Sequence, residues 1–207
     1  METSSWVLML VQTSAFIGAW ALIHRFVAKH GPISQARALV KFNNWFYVAL
    51  SSIMFGLILT PSCESTARTL YHYSKFYEYI DILGVRAIGG AIDLHFGFHH
   101  LTTPYLTFIR VISHSEGWWL FGALNTFHHA LMYAYFGGVG RIRPLLLVTC
   151  GIQYLVGMAA EVLILLQKQR RDEVIWPNIF MLCLLFTYSV LWIRDLLLQP
   201  KKEGKTD

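Results

Sequence analysis

Residues His95 to Phe108 read HFGFHHLTTPYLTF, three histidines within six positions followed by an apolar run. Whether this stretch is a loop or a membrane helix decides the fold, because it lies between segments that belong in a bilayer. The chain has 207 residues, is 55% hydrophobic and carries only 14% charged residues. Its mean hydropathy is +0.46. A soluble domain usually carries about 25% charged residues and does not make most of its surface apolar, so the composition is that of a membrane protein.

A helical span needs about 20 mostly apolar residues. Trp6–Val27, Leu39–Thr60, Trp118–Gly137, Leu145–Leu166 and Val174–Leu198 meet that requirement. Tyr71–Ile92 and Phe96–Ser113 are less hydrophobic, but they lie between clear spans. Counting both predicts an all-α, polytopic membrane protein of about seven transmembrane helices. It is read as one domain over 1–207, a bundle over 6–198 followed by a polar tail over 199–207. The alternative is five or six spans, with Tyr71–Ile92 lying on the membrane or re-entering it. Met1–Ser5 lacks the basic segment of a signal peptide and the apolar run after it is long, so the first helix is expected to be retained.

Arg25, Lys29, Arg37 and Lys41 follow helix one, Arg141 and Arg143 follow helix five, and Lys201, Lys202 and Lys205 occupy the tail. With seven spans these groups share one side, which the positive-inside tendency makes cytoplasmic. The loop QKQRRDEV, Gln167–Val174, runs against the rule with three basic and two acidic residues on the other side. The net charge of +5 suits anionic headgroups or an anionic substrate, and nothing points to nucleic acid. Cys63, Cys150 and Cys183 show no metal or redox spacing, so no metal and no bound cofactor is expected.

Ionisable side chains within spans are costly and mark functional sites by default. Three consecutive segments concentrate them. In SKFYEYIDI, Ser74–Ile82, the residues Lys75, Glu78 and Asp81 recur every third position along one slowly rotating stripe. That stripe is either a self-neutralising salt-bridge row or a polar wall facing a cavity. In the opening stretch His95 and His99 share a helix face, while His100 points about 100° away. In LNTFHHALMYAYF, Leu124–Phe136, the residues Asn125, His129, Met132, Tyr133 and Phe136 follow one face, with His128 on the neighbouring one. Such a stripe lines a reaction chamber or bonds helices together.

These segments, in this order, resemble the ELO family of very-long-chain fatty acid elongases, seven-helix proteins with an SKxxExxDT motif, an HxxHH box followed by AxxP, and an NxxxHxxMYxYY motif. The chain has SKFYEYIDI at Ser74–Ile82, HHLTTP at His99–Pro104 and NTFHHALMYAYF at Asn125–Phe136. The likeness runs from the Asn43-Asn44 region to the tail, and Gln153 matches a glutamine of the family's sixth helix. The chain also departs from the pattern. The first histidine of the box falls on Phe96, with His95 one place earlier, so the pattern is HxxxHH. Ile82 stands for a threonine and Phe136 for the last tyrosine, and a basic LRKK-like stretch is reduced to Arg86.

The resemblance implies condensation of a long-chain acyl-CoA with malonyl-CoA, giving 3-ketoacyl-CoA, CO2 and CoA. An apolar tunnel would hold the acyl chain. It implies His99 as a nucleophile that forms an acyl-imidazole, since neutral imidazole attacks thioesters and covalent catalysis divides one hard step into two. His129 would polarise the carbonyl or handle protons, His100 would orient the ring, and His95 is a further catalytic candidate of the box. Asn125 and Tyr133 would donate to the developing oxyanion. Lys75, Arg141 and Arg143 are the candidates for the CoA phosphates, and Glu78, Asp81, Arg86 and Gln153 complete the substrate-binding set. The implied setting is the endoplasmic reticulum membrane with the tail in the cytoplasm. The implied partners are membrane lipid, the other enzymes of the elongation cycle and further elongase copies.

Two other readings stand beside this one. An elongase-like protein that keeps the fold without turnover would bind acyl-CoA or serve an active partner. HxxxHH also fits one histidine box of membrane di-iron desaturases and hydroxylases. Those need about eight ligating histidines in three boxes, whereas His24, His30, His72 and His114 are isolated here and only five of the nine cluster.

Overall fold

The computed structural model describes residues 3–112 and 116–198. Ser113 and the polar tail 199–207, with its expected cytoplasmic placement, lie outside the described residues. All the regular structure described is helical: α1 (Thr3–His30), α2 (Ala36–Ile58), α3 (Glu64–Tyr77), α4 (Tyr79–Ala87), α5 (Leu94–Thr107), α6 (Trp118–Phe136), α7 (Arg143–Arg170) and α8 (Trp176–Leu198).

Six helices close into a ring. α2 packs along α6, α6 on α7, α7 on α8, α8 on α5, α5 on α3 and α3 back on α2. α1 stands outside the ring and is held mainly by α4. The ring is apolar outside and polar inside. Leu155 and Leu197 are 68 and 79% exposed on its outer surface, while Lys75, Glu78, Asn125, His129 and Arg110 are buried within. An exposed apolar belt of this extent is expected of a surface solvated by lipid. The protein is a polytopic helical membrane protein.

The spans differ from their expected outlines. α1, α8 and the segment from Gly140 to Arg170 are each long and apolar enough to cross a membrane. A fourth candidate is α2 taken with the residues up to Ala87, which bend by 112° at the break after α2. The remaining walls, α5 and α6, turn polar side chains such as His100 and His129 to the interior. The expected span Tyr71–Ile92 is two helices that meet at Glu78. The expected span Phe96–Ser113 is α5 followed by a π-helical turn, Phe108–Ile112. Pro104 lies inside α5 and offers no N–H to the preceding turn, a usual cause of irregular hydrogen bonding.

Local signals set the ends of the site-bearing helices. Asp93 caps α5, its Oδ1 accepting the Phe96 N–H at 2.7 Å, and this places the histidines in the first two turns. The α1–α2 connection is pinned to the end of α4, where the Ile33 N–H donates to the Ala87 carbonyl at 2.8 Å. Gly89 follows with φ +90°, and a Cβ there would meet Pro32 Cγ at 2.7 Å. Gly89→Ala is therefore expected to cost about 1–2 kcal/mol from the left-handed backbone alone, and more from displacing Pro32. The cost reads out as a lower melting temperature in detergent.

At the end of the ring away from the histidines, Arg110 of the π turn pairs with Glu161 of α7 at 2.5 Å. Asn178 Nδ2 of α8 donates to the other Glu161 oxygen at 2.9 Å. This buried junction ties α5, α7 and α8 together with no contribution from the motif residues.

Candidate active site

Glu78 sits at the α3–α4 break and is fully buried. Its Oε1 accepts from Lys75 Nζ at 2.6 Å and from the Tyr47 hydroxyl at 2.5 Å, and His129 Nδ1 stands 3.3 Å away. The backbone carbonyl of Glu78 lies 3.0 Å from His100 Nδ1. A carbonyl only accepts, so His100 carries its proton on Nδ1 and leaves Nε2 with a free lone pair. One residue at a helix break thus fixes two imidazoles of two different helices.

A second group surrounds Asn125 of α6. Its Oδ1 accepts from Lys75 Nζ and from the Tyr71 hydroxyl, both at 2.9 Å. Its Nδ2 faces Gln153 Oε1 of α7 at 3.4 Å. The third group is Asp81, which accepts from Asn43 Nδ2 at 2.8 Å and from the Tyr133 hydroxyl. The expected stripe therefore divides. Lys75 and Glu78 form the internal ion pair, while Asp81 serves as a wall of the cavity.

That cavity has a volume of about 690 Å³ and lies among α2, α4, α5, α6 and α7. His95, His99, His100 and His129 all line it, together with apolar side chains such as Leu83 and Met132. It reaches the outside where the exposed Leu39, Ile80 and Phe136 line it. The His99 ring stands among the rings of His95, His100 and Tyr188, at centroid distances of 5.9, 5.3 and 4.9 Å. Tyr188 is held in turn by Thr102 across a 2.7 Å hydroxyl–hydroxyl bond.

The structure thus brings together His95, His99, His100, His129, Asp81, Tyr133 and Gln153 at one cavity, with Lys75, Glu78 and Asn125 behind its wall. Lys75, a candidate for the CoA phosphates, is buried and spends its charge on Glu78. Arg141 and Arg143 lie at the exposed start of α7. Arg86 is part-buried between the cavity-lining Val85 and Ala87. The Tyr133 proton, expected at an oxyanion, is directed to Asp81. His128 also faces the cavity, and its Nδ1 bonds to Thr149 Oγ1 at 2.7 Å. Among the described residues, no three His, Cys, Asp or Glu side chains converge as metal ligands would.

The motifs passed over Tyr47, Tyr71, Tyr154 and Tyr188. The signal for Tyr47 is present in α2, where the buried Asn43, Tyr47, Ser51, Met54 and Ile58 recur at intervals of three and four. Tyr154 and Tyr188 carry a comparable signal, in the buried Cys150, Tyr154, Gly157 and Glu161 of α7 and the buried Asn178, Met181, Leu185 and Tyr188 of α8, but they lie outside the motifs.

No curated protein and no solved structure matches the chain. A family model does, that of the GNS1/SUR4 family, ELO, over residues 61–196. The matched span carries the buried Lys75–Glu78 pair, the histidines of α5 and the Asn125–Tyr133 face of α6. With two thirds of its length matched and its polar motifs gathered at one cavity, the chain belongs to the ELO (GNS1/SUR4) family.

Proposed function

We propose that this protein is the condensing enzyme of a fatty acid elongation cycle, joining a long-chain acyl-CoA to malonyl-CoA. Membership of the ELO family supports a role in fatty acid elongation. The observation that carries the finer reading is a cavity of about 690 Å³ lined jointly by imidazoles of α5 and α6 and by many apolar side chains. Its volume lies in the range of pockets that enclose a ligand.

In this reading a His99 ring nitrogen attacks the thioester carbonyl, CoA departs, and the acyl group remains as an acyl-imidazole. Malonyl-CoA then loses CO2. The electron pair of the broken carbon–carbon bond forms the new bond to the acyl carbonyl carbon, and His99 leaves and regains a proton. His129, held by Glu78, addresses the carbonyl oxygen, and His100 supports the neighbouring ring. Asn125, whose Nδ2 donates to Gln153, stands behind that wall as an amide that would serve the oxyanion. Arg86, Arg141 and Arg143 serve the CoA phosphates at the exposed end. The setting is the endoplasmic reticulum membrane, with the other enzymes of the cycle, or a further elongase copy, as partners.

The test is purified protein in detergent, supplied with a panel of acyl-CoAs and radiolabelled malonyl-CoA. Labelled 3-ketoacyl-CoA is the expected product. Folded protein that binds acyl-CoA but forms no product across the panel overturns the enzymatic reading and leaves an acyl-CoA-binding relative.

A further inference from the structure

The family's box places its first imidazole where this chain has Phe96, and the structure shows the result of that exchange. The Phe96 ring turns edge-on to His100, with centroids 4.6 Å apart. His95, one residue earlier, is carried about 100° around α5. Its ring stands beside that of His99 at 5.9 Å, and its Nε2 lies 3.2 Å from the hydroxyl of Tyr154 on α7. Tyr154 is 4% exposed and shares the cavity wall with His95 and His99. Tyr154 lies outside all three motifs, and it is the hydrogen-bond partner that α7 offers to the displaced imidazole.

We propose that Tyr154 is a positioning residue that holds His95 beside His99, so that His95 carries the proton of the acyl-transfer step. The inference rests on the condensing reading above. When a His99 nitrogen bonds to the thioester carbon and the carbon–sulfur bond breaks, the electron pair leaves on sulfur. The proton on the other His99 nitrogen must leave the ring for a neutral acyl-imidazole to form. With Nε2–H donating to the Tyr154 oxygen, His95 keeps its Nδ1 lone pair free. It takes that proton, becomes imidazolium and passes the proton to the sulfur, giving the CoA thiol. The one-residue shift of the box is thereby matched by a partner on another helix, and the shifted histidine keeps a working place at the cavity.

The test is a double-mutant cycle on the purified full chain, with His95→Gln, Tyr154→Phe and both together. Two rates are read: the burst of CoA released from acyl-CoA alone, and the steady condensation with malonyl-CoA. Tyr154→Phe is expected to slow the burst about tenfold or more, within the range of a positioned proton carrier. The KM for acyl-CoA is expected to stay within about twofold, the signature of an interaction made in the transition state. In the His95→Gln chain the same substitution is expected to change the burst by less than about twofold, because its effect runs through His95. Equal losses in both backgrounds, or no loss in the native one, overturn the inference while leaving the elongase reading intact. A native chain that releases no CoA and forms no product overturns both. Should His95→Gln fail to fold, the exchange His95→Phe with Phe96→His supplies the second background, with the same expectation for Tyr154→Phe.

Discussion

His99→Ala is expected to form no acyl-enzyme and to lower condensation by about a thousandfold or more, the scale seen when a covalent nucleophile is removed. The size of the effect follows from the engagements of the other imidazoles. His100 donates Nδ1–H to the Glu78 carbonyl, His129 faces the Glu78 carboxylate, and His95 is turned to Tyr154. Each is tied at one nitrogen to a different helix, and none can move to the His99 position without giving up that bond. The His99 ring, by contrast, packs on other rings beside the cavity. The measurement is labelled malonyl-CoA incorporation together with the intact mass of protein incubated with acyl-CoA alone. An adduct is expected on the native chain and absent from His99→Ala. Retention of condensation within about tenfold would remove His99 as the nucleophile.

Lys75→Met is expected to destabilise the protein by about 3–5 kcal/mol, the usual consequence of removing one member of a buried ion pair. Lys75 Nζ bonds to Glu78 Oε1 at 2.6 Å and to Asn125 Oδ1 at 2.9 Å, and both members of the ion pair are essentially without solvent. Without the ammonium, the Glu78 carboxylate keeps only the Tyr47 hydroxyl and the His129 ring. Its Oε2 already has no hydrogen-bond partner. The double variant Lys75→Met with Glu78→Gln is expected to recover much of the loss, because the charge that must be buried is gone, while condensation stays impaired since His129 has lost its carboxylate. Unfolding in detergent measures the first effect and the labelled assay the second. A single variant within about 1 kcal/mol of the native protein would show that the pair is not a structural centre of the bundle.

The two variants probe different layers of the same site, and the sequence exposes those layers unequally. His99, His129 and Tyr133 were visible because helical spacing alone puts each on a face with other polar residues, and those faces do meet the cavity. The Ser74–Ile82 stripe was visible only in part. Its period of three assumes an unbroken helix, whereas the chain breaks at Glu78 and sends Asp81 to Asn43 and Tyr133 instead of to Lys75. The hydropathy of α3 understated its place in the bundle because its polar side chains, Lys75 among them, turn inward.

What the sequence determined by itself was what short-range physics controls: an all-helical membrane protein, the polar faces of α5 and α6, and three ordered motifs that mark the family. These depend on residue type and on spacing within a single helix. The tertiary structure alone decided which face meets which. The ring order, the carboxylate of Glu78 meeting Tyr47 and His129, and the pairing of His95 with Tyr154 all join residues dozens of positions apart. Such contacts are set by how six helices close on one another, and no period along the chain encodes that closure.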